Sequence, residues 1–333
     1  MTQQELLIAI VGCGYMGSRH ASTYSRWKQV KLLLVDQQER AAHQLEQRLS
    51  RLGTTARSVS WQAALEQILS HRLLRGGQVA IDICTPPAFH SLYIKEALQV
   101  GCPVLCEKPL SLSEEIEDEI LSLADRSEGW LAVGYPYRHH PAIRWVHSIL
   151  EGGELGKPHL AYFRLGVRGG RSSWKHQAAM GGGIGSEALC HLVDLAIHFF
   201  GPVREGKWLD QRVIRASRVI SGSMKRVTAP DYGVLSLLHE RGVRSLLTAD
   251  MLSPGFCQSV EIQAECGSVW SSVRPEWPSW MLKVDPPSTQ FADHAAVDLL
   301  ELVLEAFSRS LASGQPDPLL RPYPGIARWL LPV

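Results

Sequence analysis

An apolar run, Ile8-Ala9-Ile10-Val11, ends at a glycine, and two further glycines follow in the spacing Gly12-Cys13-Gly14-Tyr15-Met16-Gly17. The run has the length and composition of a buried strand, and the segment from Ser18 to Trp27 can be helical. Gly12 permits a tight strand-to-helix turn. Gly14 has no side chain, so a pyrophosphate can approach the backbone. Gly17 lets the helix pack close to the strand, and the helix N-terminus offers its free N–H groups to the phosphates. A plain αβ turn can carry the same glycines. The next element decides between the two. Lys31-Leu32-Leu33-Leu34-Val35 reads as a second strand with Asp36 at its end, roughly twenty residues beyond the last glycine, where an acid bonds a ribose 2′-hydroxyl. Strand, turn, helix, strand and acid in this order predict a dinucleotide site. An acid at Asp36 repels a 2′-phosphate, so NAD is the expected cofactor. Arg40 lies close enough to keep NADP possible.

The βα rhythm continues. Helices are expected over Glu39 to Leu52 and Trp61 to Leu69, with a short strand from Ala56 to Val59 between them. Val79 to Cys84 reads as a fourth strand, broken by Thr85-Pro86-Pro87. Ser91 to Val100 reads as a helix, Pro103 to Cys106 as a fifth strand, Glu114 to Leu123 as a helix and Trp130 to Gly134 as a sixth strand. Strands that are apolar throughout and alternate with helices predict a parallel sheet covered on both faces. Ligands of such a sheet sit beyond the carboxyl ends of its strands. Thr85-Pro86-Pro87, Glu107-Lys108-Pro109 and Tyr135-Pro136-Tyr137-Arg138 all follow strands and share that rim.

Past residue 140 the pattern changes. His140 to Leu150 reads as a helix, Leu160 to Val167 as a half-exposed strand, and Gly181-Gly182-Gly183 precedes a strongly apolar helix. Strand-like runs then dominate, at Gln211 to Ile220, Gly233 to Leu238, Val243 to Ala249, Ser259 to Ala264 and Ser268 to Ser271, before a late helix from Leu299 to Leu311. The fold class is therefore α/β: an N-terminal doubly wound parallel Rossmann sheet over 1–135, then an α+β domain over 136–333 with a mostly antiparallel sheet. At 333 residues and 45% apolar, the chain has enough core for two domains. Its net charge of +1, with basic residues spread out, calls for neither nucleic acid nor an anionic membrane surface. No apolar stretch approaches a membrane span, and no leader peptide is read. The seven cysteines include no CxxC pair and lie mostly in apolar runs, which fits buried free thiols in a reducing, cytoplasmic setting.

Two features carry chemistry. Lys108 ends the fifth strand, where an ammonium can reach a nicotinamide and a reacting oxygen; a surface lysine before a loop is the plainer reading. The helix after the triple glycine carries Glu187, His191, Asp194 and His198 at i, i+4, i+7 and i+11, a narrow stripe on an otherwise apolar face. Buried ionisable groups are costly unless paired, so a line of them on a buried helix points to function. His198 also reads as a satisfied core histidine, and Asp194 as a local hydrogen-bonding group. Glu187 with His191 has a metal-ligand spacing, but no H-E-x-x-H motif or third ligand accompanies it, and no metal is expected. Hydride transfer fits the set. His191 accepts or supplies the proton, Lys108 stabilises the developing alkoxide, and Glu187 orients the imidazole. Arg138, Trp174 and Lys175 lie where a substrate or the nicotinamide can be held, with Arg171 and His176 as further candidates.

At this point the chain resembles the glucose–fructose oxidoreductase/inositol dehydrogenase/rhizopine catabolism family, Gfo/Idh/MocA, nearly end to end. The marks are Gly12 to Gly17 with His20, Thr85-Pro86-Pro87 with His90, Glu107-Lys108-Pro109, Gly134 with Arg138 and Pro141, Trp174-Lys175 before the triple glycine, and His191 with Asp194. The resemblance implies NAD or NADP held by Gly12, Gly14, Tyr15, Met16, Gly17, Asp36, Thr85, Pro86, His90, Glu107, Lys108 and Trp174. It implies Lys108 and His191 as the catalytic pair, a sugar, inositol or related substrate near Arg138, Lys175 and Asp194, and a homodimer or homotetramer built on a large open sheet. Many polyol dehydrogenases of the family carry Asp four residues before the histidine; this chain has Glu187, one methylene longer. Relatives that reduce imines or double bonds, and a regulator that binds nucleotide without catalysis, are the alternatives.

Overall fold

The computed structural model describes residues 5–27, 30–75, 78–170, 172–220 and 222–331. The chain divides into two compact units, Met1–Gly134 with Leu300–Pro324, and Tyr135–Leu299 with Gly325–Val333.

The first unit is built on six parallel strands: β1 (Leu6–Val11), β2 (Val30–Val35), β3 (Thr55–Ser58), β4 (Gln78–Ile83), β5 (Val104–Cys106) and β6 (Leu131–Val133). Their order is β3-β2-β1-β4-β5-β6, the doubly wound arrangement whose strand order reverses between β1 and β4. Helices α1 (Tyr15–Tyr24), α2 (Glu39–Ser50), α3 (Trp61–Arg75), α4 (His90–Gln99) and α5 (Glu114–Arg126) cross between them. The central strands are buried almost residue for residue, as a sheet covered on both faces requires. Val11 and Ile83 are register partners, so Gly12 and Cys84 leave the sheet side by side at its carboxyl edge.

The second unit opens with α6 (Pro141–Glu151) and β7 (Pro158–Gly166). A π turn over Gly185–Leu189 then leads into α7 (Cys190–Phe200). Strands β8 (Val203–Arg212), β9 (Ser217–Ile220), β10 (Ser223–Arg226), β11 (Tyr232–His239), β12 (Arg244–Asp250), β13 (Cys257–Ala264), β14 (Gly267–Ser271), β15 (Ser279–Lys283) and β16 (Ser288–Ala292) follow. Seven of them join β7 in one sheet of eight, in the order β16-β15-β14-β13-β7-β12-β11-β8, while β9 and β10 make a separate hairpin. Neighbours run antiparallel except β7 and β12. The strict alternation of buried and half-buried residues along β13 shows one covered face.

Three expectations are corrected here. The stretch from Gln211 to Ile220 is not one strand. β8 stops at Arg212 because Asp231 pulls the chain into a turn, accepting from the N–H groups of Ile214 at 2.7 Å and Arg215 at 3.1 Å. The helix after the triple glycine does not begin as a regular α-helix. It enters through the π turn, at a point where a Cβ on Gly185 would lie 2.2 Å from the Leu330 carbonyl oxygen. Finally, 136–333 is not one continuous unit. Helix α8 (Leu299–Ser313) sends Val303, Leu304 and Phe307 into the core of the first unit with Ile8, Ile10 and Leu32.

Candidate active site

In the first unit, the three glycines do three different things. Gly12 sits at φ +95°, and a Cβ there would lie 2.9 Å from the Cys84 and Thr85 backbone. A Cβ on Gly17 would lie 1.8 Å from the Gly12 carbonyl oxygen, so only glycine allows α1 to start this close to β1. A Cβ on Gly14 would meet nothing within 4 Å. Gly14 therefore faces open space, on the side where the helix N-terminus has no side-chain cap. Tyr15, the first residue of α1, is 74% exposed, and Met16 is half-buried.

Asp36 is fixed at the same edge. One carboxylate oxygen accepts from the Cys13 N–H at 2.7 Å and the other from the Gln38 N–H at 2.8 Å. A cleft of about 380 Å³ opens beyond β2 and β3, lined by Asp36, His43, Ser58, Ser60, Trp61 and Tyr93 among others. Its place and size suit the adenosine half of a dinucleotide. At the end of β4 the Thr85 hydroxyl is buried with no hydrogen-bond partner among the described residues. Such an orphan costs about 1–3 kcal/mol until a ligand satisfies it. The open face of Gly14, the anchored Asp36 and the orphan Thr85 hydroxyl fit a pyridine dinucleotide.

His90 supports the same rim. Its ring nitrogens lie 2.9 Å from the Pro109 carbonyl and 2.8 Å from the Thr85 carbonyl, and burial holds it below the usual histidine range. The ring packs between the β4 and β5 ends, a neutral ring donating to one of the two carbonyls, and Pro86 begins the turn after β4. Lys108 is half-buried at the β5 end and its peptide bond to Pro109 is cis. The Glu107 carboxylate accepts from the Lys108 N–H at 3.2 Å.

In the second unit, His191 is buried on α7 with two tyrosine rings edge-on to it. Tyr137 has its centroid 5.0 Å away and Tyr135 6.2 Å away. Both tyrosines come from the rim segment Tyr135-Pro136-Tyr137-Arg138, and nothing in the sequence assigns them to His191. Arg138 and Asp194, expected near a substrate, are paired with each other. They are 0% and 1% exposed and bind each other through two hydrogen bonds, one of them 2.9 Å from Nε to Oδ2. Burial raises the Asp194 carboxyl above its usual range, and the Arg138 charge only partly offsets that. The pair fixes the segment that carries Tyr135 and Tyr137 onto α7.

Glu187 lies in the π turn, off the regular stripe, and its Oε2 accepts from Lys175 Nζ at 2.6 Å. The same ammonium stands 5.4 Å from the Trp174 ring centroid. His176 is buried, and its Nε2 lies 2.9 Å from the Gly170 carbonyl oxygen. Arg171 lies outside the described residues. His198, further along the same helix, stacks on His147 at 4.5 Å between centroids, and burial pushes it down to about 3.

The parallel sheet, its glycine turn and its anchored acid define an NAD-binding oxidoreductase of the dehydrogenase class. Residues 6–135 match the model of the oxidoreductase family with an NAD-binding Rossmann fold, and residues 143–270 match the GFO/IDH/MocA C-terminal domain. The chain belongs to the Gfo/Idh/MocA oxidoreductase family. Among its relatives is the uncharacterised oxidoreductase YrbE of Bacillus subtilis, 27% identical over 276 residues, covering 80% of this chain and 74% of the relative. D-glucoside 3-dehydrogenase of Escherichia coli is 26% identical over 205 residues, covering 60% of this chain and 56% of that one. Among solved structures, levoglucosan dehydrogenase in complex with NADH superposes with a TM-score of 0.80 at 16% identity, covering 98% of this chain and 94% of that one. Among the described residues no helix is long and apolar enough to cross a membrane.

Proposed function

We propose that this dehydrogenase transfers hydride between NAD and a hydroxyl or carbonyl carbon of a sugar, an inositol or a related small molecule. The observation that carries the reading is the glycine turn, in which Gly12 and Gly17 are packed against backbone while Gly14 is left facing open space. Relatives named for a D-glucoside and for inositol support the substrate class. When bound, the nicotinamide supplies the hydride acceptor or donor. Lys108 stabilises negative charge on the substrate oxygen. His191, held edge-on by Tyr135 and Tyr137, takes the hydroxyl proton or returns it. Glu187 sets the Lys175 ammonium beside Trp174, a polar and aromatic pair suited to a polyol face. Asp36 favours NAD over NADP.

The exposed sheet face supports a homodimer or homotetramer. Tyr162 and Phe291 lie on the cross-strand row that also carries Trp270 and Trp280, and they are 41% and 68% exposed. Light scattering on the purified protein tests that part directly.

The functional test is a panel of aldoses, inositols, glycosides, imines and conjugated carbonyls, assayed at the nicotinamide absorbance band with NAD(H) and NADP(H). Turnover of a polyol or sugar with NAD is expected. Turnover confined to imines or double bonds would overturn the substrate class. NADH binding without turnover on the whole panel would favour the regulatory alternative.

A further inference from the structure

His20 does not belong to the glycine turn, yet it is buried directly behind it. It lies on α1, and its Nδ1 is 2.8 Å from Asp82 Oδ2 on β4 while its Nε2 is 3.2 Å from Glu107 Oε1 at the end of β5. The three side chains are 3% exposed or less, apart from Glu107 at 14%. Asp82 is further fixed by the Tyr24 hydroxyl at 2.7 Å and the Cys84 thiol at 3.5 Å. Cys106 also neighbours this cluster, and the Lys108 charge acts on Glu107.

An ionised carboxylate can only accept hydrogen bonds. An imidazole set between two of them presents N–H to both only as the imidazolium. Burial alone would drive His20 the other way, but the Asp82 charge and hydrogen bond hold it well above the usual histidine range. His90, equally buried but flanked by carbonyls, lies below that range. Burial likewise works against a charged Glu107 and is the largest single influence, but the hydrogen bond and charge of His20, with the charge and N–H of Lys108, together outweigh it, so Glu107 stays ionised. Its Oε2 is then free to hold the Lys108 N–H while Oε1 holds His20.

We infer that His20 is a positioning residue: fixed as an imidazolium by Asp82, it keeps Glu107 a carboxylate, and Glu107 in turn fixes the backbone and the charge of Lys108. The inference rests on the proposed role of Lys108, but it concerns charge states that can be read without substrate.

Two measurements on the full-length protein test it. Histidine ¹⁵N spectra of the wild type should show one ring, absent from His20→Asn, that keeps both nitrogens protonated across the neutral range. A neutral ring at about pH 8, well above the free histidine value, overturns the inference. The second measurement follows acylation of individual lysines by mass spectrometry as a function of pH. In His20→Asn, Glu107 loses its partner and takes up a proton, so the Lys108 curve should move down by about one pH unit, with Lys31 and Lys95 unmoved. An unmoved Lys108 curve, or a shift shared by all three lysines, overturns it. Turnover of Lys108→Ala tests the catalytic role separately. If that variant stays active while the Lys108 curve in His20→Asn still moves, the proposed function fails and this inference stands.

Discussion

The first unit places its polar groups at the carboxyl ends of parallel strands; the second places them along one helix and the loop before it. Asp36, Asp82, Thr85 and Glu107 each end or flank a strand, whereas Arg138, Lys175 and Glu187 come from short turns and pair across the chain. The histidines divide by their partners rather than by unit. His20 is held charged between carboxylates, while His90 in the same unit is pushed down, and His140 and His198 in the second are pushed down to about 4 and about 3, first of all by burial. A strand end fixes a side chain through local geometry that many sequences share. A paired turn fixes one only through a partner far along the chain.

That contrast can be broken by substitution. The largest stability effect is expected at Arg138. Arg138→Leu strands Asp194 as an uncompensated buried carboxylate, at a cost of about 3–5 kcal/mol. Lys175→Met breaks a pair that is 27% exposed on the lysine side and should cost under about 1 kcal/mol. Thermal melts of the two variants compare them, and equal losses would contradict the distinction. Next come the glycines. Gly17→Ala drives a Cβ into the Gly12 carbonyl and should cost about 1–3 kcal/mol, although Gly→Ala in an open helix stabilises. Gly14→Ala should leave the melt unchanged and weaken NADH binding about tenfold, equivalent to about 1.4 kcal/mol. A Gly14→Ala variant that binds NADH normally would remove the central support for the cofactor's position.

A smaller effect is expected from pH. His198 stays neutral in the folded protein, while the unfolded chain binds a proton below about pH 6.5, so acidification favours unfolding by up to about 1.4 kcal/mol per pH unit. His140 adds to the loss with the same sign. His20 acts oppositely: its contribution is complete below about pH 6.5 and fades only as pH rises through its elevated folded value. The melting temperature should therefore drop between about pH 6.5 and pH 5, and His198→Phe should flatten the drop. A profile that is flat in the wild type would contradict the assignment.

The same contrast explains what was legible in the residues. The glycine spacing, the apolar strands and Asp36 act within one βαβ unit, so the parallel sheet and its rim could be read directly. Asp82 carried a signal too, since a carboxylate inside Val79-Ala80-Ile81-Asp82-Ile83 demands a partner. Nothing local said that the partners were His20 and Tyr24, 62 and 58 residues away in sequence. In the second unit, Arg138 reads as a rim residue and Asp194 as a local hydrogen-bonding group, and nothing in the sequence joins the two across 56 residues. The π turn is likewise not marked in the local sequence, although a Cβ at Gly185 within it would meet the Leu330 carbonyl from far along the chain. Strands β8 and β16 escaped notice because polar and charged residues interrupt the alternation that marks a half-buried strand.

The most direct test of the account is a paired assay of Lys108→Met and His191→Asn. NADH affinity is measured by fluorescence, alongside kcat on the substrate that the panel identifies. The account predicts that each variant keeps its NADH affinity within about threefold while kcat falls about 100-fold or more. Wild-type turnover in either variant would contradict the assignment of hydride-transfer chemistry to these two residues.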